Sequence, residues 1–200
     1  MDFFRRAAGT PSKLGVFPGT FNPPTRAHLA LAHASLGQVE EVVFVLPRRF
    51  PHKTFERASF EDRLRLLDAA LETEPRFSIA ATAGGLFIEI ARECHKAYGA
   101  GAELYFLCGR DAAERIVNWD YGRPGVIAEQ LSEYQLLVAP RQGVYEPPVH
   151  LRDRIHPLPA ASSLDEISAT EVRARIRRGE PWEHLVPPGI VEIARRIYQK

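Results

Sequence analysis

Cysteine is scarce in this chain, which carries only Cys94 and Cys108 in 200 residues. Two thiols are too few for a disulfide framework or a cysteine-rich zinc site, so both are expected to be buried and reduced. His95 does not make Cys94 a nucleophile, because adjacent residues of a helix point different ways. No apolar run is long enough to span a bilayer, and the basic stretch from Met1 to Lys13 leads into no apolar export segment. A cytoplasmic protein without a membrane partner is expected. Excess charge is missing as well: the formal net charge is +1, so bulk electrostatics give no reason to expect a nucleic-acid partner. Two familiar phosphate loops are absent. No Gly-x-Gly-x-x-Gly follows the first apolar strand pattern, and no Gly-x-x-x-x-Gly-Lys-Ser/Thr occurs, which disfavours a dehydrogenase and a P-loop enzyme.

What the sequence does contain is organised around residues 14–32. Leu14 to Phe17 reads as a short apolar strand, Pro18-Gly19 as a turn, and the stretch after Pro23-Pro24 as the start of an apolar helix. Strand, tight loop and helix start together make a phosphate-site geometry. Gly19 is expected to let the backbone approach a ligand, and the helix opening near Pro24 offers unpaired N–H groups and the positive dipole end to an anion. Thr25 and His28, three residues apart in the first turn, are expected to face the contents of that loop.

Strand and helix patterns alternate along the rest of the chain. Strands are predicted at 41–46, 77–81, 103–108, 134–139 and 154–158, and helices at 59–72, 86–98, 112–117, 168–178 and 190–198. This alternation implies an α/β fold: a Rossmann-like, doubly wound, mostly parallel sheet with helices on both faces. A single domain over 1–200 is expected, with residues 1–12 as a flexible N-terminal tail. In such sheets ligands bind at the carboxyl ends of the strands beside the switch point, where this reading puts Pro18 to His28 and Gly109 to Asp111.

A second constellation opens the predicted helix at 168–178: Ile167-Ser168-Ala169-Thr170-Glu171-Val172-Arg173. Ser168 and Glu171 fit a Ser-x-x-Glu capping box, which leaves a cap alone and a cap plus phosphate site both open. On the second reading Ser168, Thr170 and the Arg173 guanidinium suit the β and γ phosphates of ATP. One triphosphate clamped between two helix starts explains both segments.

Gly19-Thr20-Phe21-Asn22-Pro23-Pro24-Thr25-Arg26-Ala27-His28 resembles the (His/Thr)-x-x-His signature of the nucleotidyltransferase superfamily, in its nicotinate or nicotinamide mononucleotide adenylyltransferase branch. Residues 167–173 are similar to that family's Ile-Ser-Ser-Thr-x-Ile-Arg motif, with Ala169 in place of one serine. Pro51-His52-Lys53 and Leu107-Cys108-Gly109-Arg110-Asp111 resemble two further elements of the bacterial enzymes.

The resemblance implies transfer of the adenylyl group of ATP to nicotinate mononucleotide, with pyrophosphate released, as a step of NAD biosynthesis. Another acceptor, such as nicotinamide mononucleotide, phosphopantetheine or a cytidylyl-transfer substrate, stays open, as does a non-catalytic nucleotide sensor. The implied catalytic residues are His28, Thr25 and Arg173. Gly19, Thr20, Phe21, Lys53, Gly109, Asp111, Ser168 and Thr170 would hold ATP and its phosphates. For Lys53 a solvated loop position is the alternative, and for Asp111 a helix N-cap. Trp119 would stack on the pyridine base, with plain packing as its alternative, and Thr82 is the other substrate-binding candidate. The usual Tyr-Thr-x-Asp-Thr segment is replaced by Gly84-Gly85-Leu86-Phe87-Ile88-Glu89-Ile90, which bears on the acceptor more than on the chemistry. Magnesium is expected to arrive with ATP through the phosphates, since no carboxylate cage stands out in the sequence. The partners are therefore small molecules, and homo-oligomerisation is left open.

Overall fold

The computed structural model describes residues 1–49, 58–140, 143–159 and 167–199. Among these residues seven strands form one sheet: β1 (Asp2–Arg5), β2 (Lys13–Pro18), β3 (Glu41–Pro47), β4 (Phe77–Thr82), β5 (Glu103–Gly109), β6 (Gln135–Ala139) and β7 (Ile155–Pro157). Among the described residues seven α-helices accompany them: α1 (Arg26–Ser35), α2 (Phe60–Ala70), α3 (Phe87–Tyr98), α4 (Arg110–Val117), α5 (Val126–Glu133), α6 (Ala169–Arg178) and α7 (Val191–Tyr198). The strand order is β1-β4-β3-β2-β5-β6-β7. Six strands are parallel, and only β1, at one edge, runs antiparallel to its neighbour β4.

Every residue of β3 and β4 is buried, as interior strands of a sheet covered on both faces must be. Alternate side chains of β3 feed two separate cores. Val42, Phe44 and Leu46 join Leu67 of α2 and Ala32 of α1 on one face, while Val43 and Val45 join Ile90, Cys94 and Tyr98 of α3 on the other. A third apolar cluster lies away from the sheet, where Val172 and Ile176 of α6 and Ala194 and Tyr198 of α7 pack with Leu66 and Ala70 of α2. From β2 the chain winds outward through β3 and β4, then returns to β5 beside β2 and winds the other way. The carboxyl ends of β2 and β5 thus flank the topological switch point.

Two elements depart from the sequence reading. Residues 1–12, expected as a flexible tail, begin instead with edge strand β1. Its Arg5 pairs with Asp68 of α2 at 2.7 Å, and its Phe3 ring packs edge-on to Tyr98 with centroids 5.6 Å apart. A four-residue strand is too short to show a period, and its partners lie more than 60 residues away. Helix α5 likewise went unread, because the turn residues at 122–125 mask a start that depends on Gly125 in the left-handed region, φ +83°. The two cysteines match expectation. Both are buried, and burial pushes each thiol up to about 12, which keeps them protonated and unreactive. Among the described residues no helix is long and apolar enough to cross a membrane.

Candidate functional site

The loop after β2 is pinned at its first residue, where the Gly19 N–H donates to the Val45 carbonyl of β3 at 3.0 Å. Phe21 follows with φ +45°, a left-handed conformation that a bulky residue adopts only when its surroundings demand it. Its ring is 1 % exposed and packs among Phe17, Phe44 and the His28 imidazole, with centroids 5.6, 5.3 and 5.3 Å away. A Cβ on Gly19 would sit 2.7 Å from the edge of that ring. Position 19 is therefore glycine to admit Phe21. The expectation that Gly19 is there to let the backbone approach a ligand is corrected: it makes room for Phe21, and its N–H is already taken by Val45. Phe21 keeps only its backbone for a ligand, and Thr20 is half-buried with its carbonyl accepting from Nη1 of Arg63 at 3.2 Å.

Thr25 caps α1, and His28 occupies the third helical position in a reciprocal capping box. The Thr25 N–H donates to His28 Nδ1 at 3.0 Å, Thr25 Oγ1 lies 2.7 Å from the same nitrogen, and the His28 N–H donates to Thr25 Oγ1 at 3.4 Å. Accepting at Nδ1 puts the proton of the neutral ring on Nε2, so that nitrogen is a donor. Thr25 itself is completely buried. The expectation that Thr25 faces the contents of the loop is thus corrected: its oxygen is spent on the helix end and on orienting His28.

Helix α6 begins at Ser168, whose hydroxyl accepts from the Glu171 N–H at 3.1 Å. The box is not reciprocal, because the Glu171 carboxylate turns to Arg175 at 2.7 Å. Thr170 is exposed in the first turn, and its Oγ1 accepts from Arg173 Nη2 at 3.4 Å. Arg173 Nη1 donates to the Ala169 carbonyl at 3.1 Å and to the Asn22 carbonyl at 2.5 Å. Across 151 residues, that last bond fastens the second motif to the first.

At the carboxyl end of β5, next to β2, Gly109 is the N-cap of α4 and has open space where a Cβ would stand. Asp111 is exposed in the first turn of α4 rather than at its cap. Trp119 follows the end of α4 with 53 % of its surface exposed. Its loop is held on both sides, by Tyr121 donating to the Ile116 carbonyl at 3.0 Å and by Arg123 gripping Glu129 at 2.7 and 2.5 Å. Thr82 closes β4, is 1 % exposed, and donates its hydroxyl to the Gly84 carbonyl at 2.8 Å, so its one proton is used within the chain. Lys53, with Pro51 and His52, lies outside the described residues.

Three residues without a sequence-level role complete the site: Asn22, Arg63 and Tyr198. Asn22 stood in the motif with no task assigned. Arg63 and Tyr198 were parts of amphipathic helices, and nothing local marks a core-facing arginine or tyrosine that reaches a loop 43 or 176 residues away. Burial lowers the Arg63 guanidinium from its ordinary value, while its bond to Thr20 keeps it on the loop.

The cytidylyltransferase-like family matches residues 16–175. A probable nicotinate-nucleotide adenylyltransferase from Salinispora arenicola is 34% identical, over 91% of this chain and 99% of that one. Another of that name from Geobacillus kaustophilus is 30% identical over 89% of this chain and 81% of its own. Among solved structures, Plasmodium falciparum nicotinic acid mononucleotide adenylyltransferase complexed with NaAD has a TM-score of 0.68 at 16% identity, covering 92% of this chain and 95% of that one. At that identity it shows the shared fold.

Proposed function

The chain belongs to the nicotinate-nucleotide adenylyltransferase family of cytidylyltransferase-like proteins, and from that premise we propose that it transfers the adenylyl group of ATP to nicotinate mononucleotide, releasing pyrophosphate. The observation that supports this reading is the bond from Arg173 of α6 to the Asn22 carbonyl in the loop ahead of α1, which ties the second motif to the first. A triphosphate lying between α1 and α6 would use both.

The 5′-phosphate oxygen of the mononucleotide attacks the α-phosphorus of ATP. The bond to that phosphorus forms as the bond to the β,γ-pyrophosphate breaks, and the pyrophosphate leaves with the electron pair. Because the nucleophile is already an anion, no general base is needed, and the protein's task is alignment and charge stabilisation. His28 Nε2–H is the donor for the α-phosphate, oriented by Thr25 from behind. The amides of Thr20 and Phe21 assist from the loop. Ser168, Thr170 and Arg173 serve the pyrophosphate side, and Gly109 and Asp111 the nucleoside of ATP, whose ribose hydroxyls a carboxylate accepts well. Magnesium enters as part of the substrate, bound to the triphosphate. Among the described residues no group of three His, Cys, Asp or Glu forms a cage for it. A soluble cytoplasmic setting suits a reaction that draws on free ATP.

The half-exposed Trp119 is the platform for the pyridine ring. Trp119→Ala is expected to raise the KM for the mononucleotide roughly tenfold, the worth of one aromatic stack, while the KM for ATP stays near its original value. An unchanged mononucleotide KM would return Trp119 to the surface.

Stacking grips acid and amide rings alike, so the choice between them must come from groups around the substituent. With the Thr82 hydroxyl committed to Gly84 and no side chain capping α3, the expected pattern is a preference for nicotinate mononucleotide with modest discrimination against the amide. Steady-state kcat/KM for the two acceptors side by side decides this. Faster use of the amide refutes the acid assignment, and ATP binding without pyrophosphate release would make the protein a sensor.

A further inference from the structure

The helix farthest along the chain touches the loop nearest the chemistry. Tyr198, in the last turn of α7, is 3 % exposed and donates its hydroxyl to Asn22 Oδ1, itself on a residue 6 % exposed. The carbonyl of the same Asn22 accepts from Arg173. Both polar ends of Asn22 are thereby fixed from the cluster formed by α2, α6 and α7, which lies off the sheet. Asn22 directly follows Phe21, the residue held at φ +45°, and the Phe21 ring is the edge against which the His28 imidazole rests at 5.3 Å.

We propose that Tyr198 is a positioning residue for adenylyl transfer: by holding Asn22 it keeps Phe21 in its left-handed conformation, and so keeps the His28 ring aimed at the reacting phosphate. The inference rests on the reaction assigned above. A left-handed non-glycine residue persists only where its neighbours over-determine it, and here the restraint on its following residue comes from two helices remote in sequence. The surroundings of Tyr198 favour the donor role. Burial raises its pKa well above that of a free tyrosine despite the opposing pull of Arg173 and Arg63, and Asp62 raises it further, so the hydroxyl keeps its proton. Loosening one hydrogen bond at a distance matters because reacting atoms must meet within a fraction of an ångström, and a small misplacement costs far more rate than stability.

The test is Tyr198→Phe, which retains the ring and its packing and removes only the donor. With ATP and nicotinate mononucleotide, kcat is expected to fall about tenfold while both KM values stay within about twofold and Tm drops by no more than about 4 °C. Asn22→Ala supplies the second arm. If Tyr198 acts through Asn22, the double variant Tyr198→Phe/Asn22→Ala is no slower than Asn22→Ala alone. Wild-type kcat in folded Tyr198→Phe overturns the proposal, and so do losses that multiply in the double variant. Should Asn22→Ala fail to fold, the division between kcat and KM in Tyr198→Phe decides alone. Wild-type turnover separates this role from the reaction it serves. A wild-type protein that turns over beside an unimpaired Tyr198→Phe removes only the positioning role, whereas a wild-type protein that turns over no acceptor removes both.

Discussion

Replacing His28 with alanine is expected to cut kcat by about a hundredfold or more while leaving ATP affinity nearly unchanged. Removing one donor aimed at charge that develops in the transition state typically costs that much. The geometry sharpens the reason. Thr25 fills the Nδ1 side of the ring with its own N–H, so the proton of the neutral ring sits on Nε2, the donor of the proposed mechanism. Phe17 and Phe21 flank the imidazole at 5.9 and 5.3 Å and limit its freedom to turn away. The substitution also removes half of a reciprocal cap, so a stability loss of the order of 1 kcal/mol, read as a small fall in Tm, should accompany the rate loss. Thr25→Ser, which keeps the capping oxygen, should by contrast stay close to wild type in rate. Near-normal turnover in His28→Ala would take His28 out of the mechanism.

The next largest effect is expected at Arg173. Its guanidinium reaches the Asn22 carbonyl, the Ala169 carbonyl and the Thr170 hydroxyl together. A planar fork with five donors can do this and still present an N–H to a pyrophosphate oxygen, whereas a lysine ammonium on a flexible stem cannot. Arg173→Lys keeps the charge, yet kcat/KM for ATP should fall roughly tenfold to a hundredfold, and Arg173→Ala should fall further. Steady-state kinetics with ATP varied, together with Tm for each variant, reads the two roles apart. Loss of the loop tie shows in Tm and in kcat at unchanged KM, and loss of the pyrophosphate contact shows in a raised KM for ATP. Wild-type kinetics in Arg173→Lys would leave Arg173 as a helix-end charge and nothing more.

Much of the site could be read without coordinates, and the reading failed in a consistent way. The strand, loop and helix of 14–32 came from local pattern, because an apolar run, a Pro-Gly turn and a helix start each show within a few residues. Ser168 was read as a cap for the same reason, and it is one, although Glu171 turned to Arg175 and left the box open. The errors concern what each side chain faces. Gly19 was taken to make room for a ligand but makes room for Phe21, two residues on. Thr25 was expected to face the contents of the loop and is buried behind His28. Both errors share one origin: the identity of a residue tells which bonds it can make, while its neighbours in space settle which it does make.

The sequence by itself determined the class of fold, through alternating periods of two and 3.6 residues, and the position of the switch point, through the motifs at 18–28 and 109–111. It also determined the helix start at Ser168, since a cap depends on residues three apart, whereas the first helix was read as opening near Pro24 and opens instead behind its cap at Thr25. Tertiary structure alone decided that Asp2–Arg5 is an edge strand, that Arg63, Arg173 and Tyr198 converge on the loop, and that Arg63 holds Thr20 while Arg173 and Tyr198 hold Asn22. The physical reason is one of range. Periodicity and capping arise within one or two turns of backbone, whereas a hydrogen bond between residues 22 and 198 exists only because α2, α6 and α7 bury their apolar faces together and thereby bring a tyrosine hydroxyl to the loop after β2.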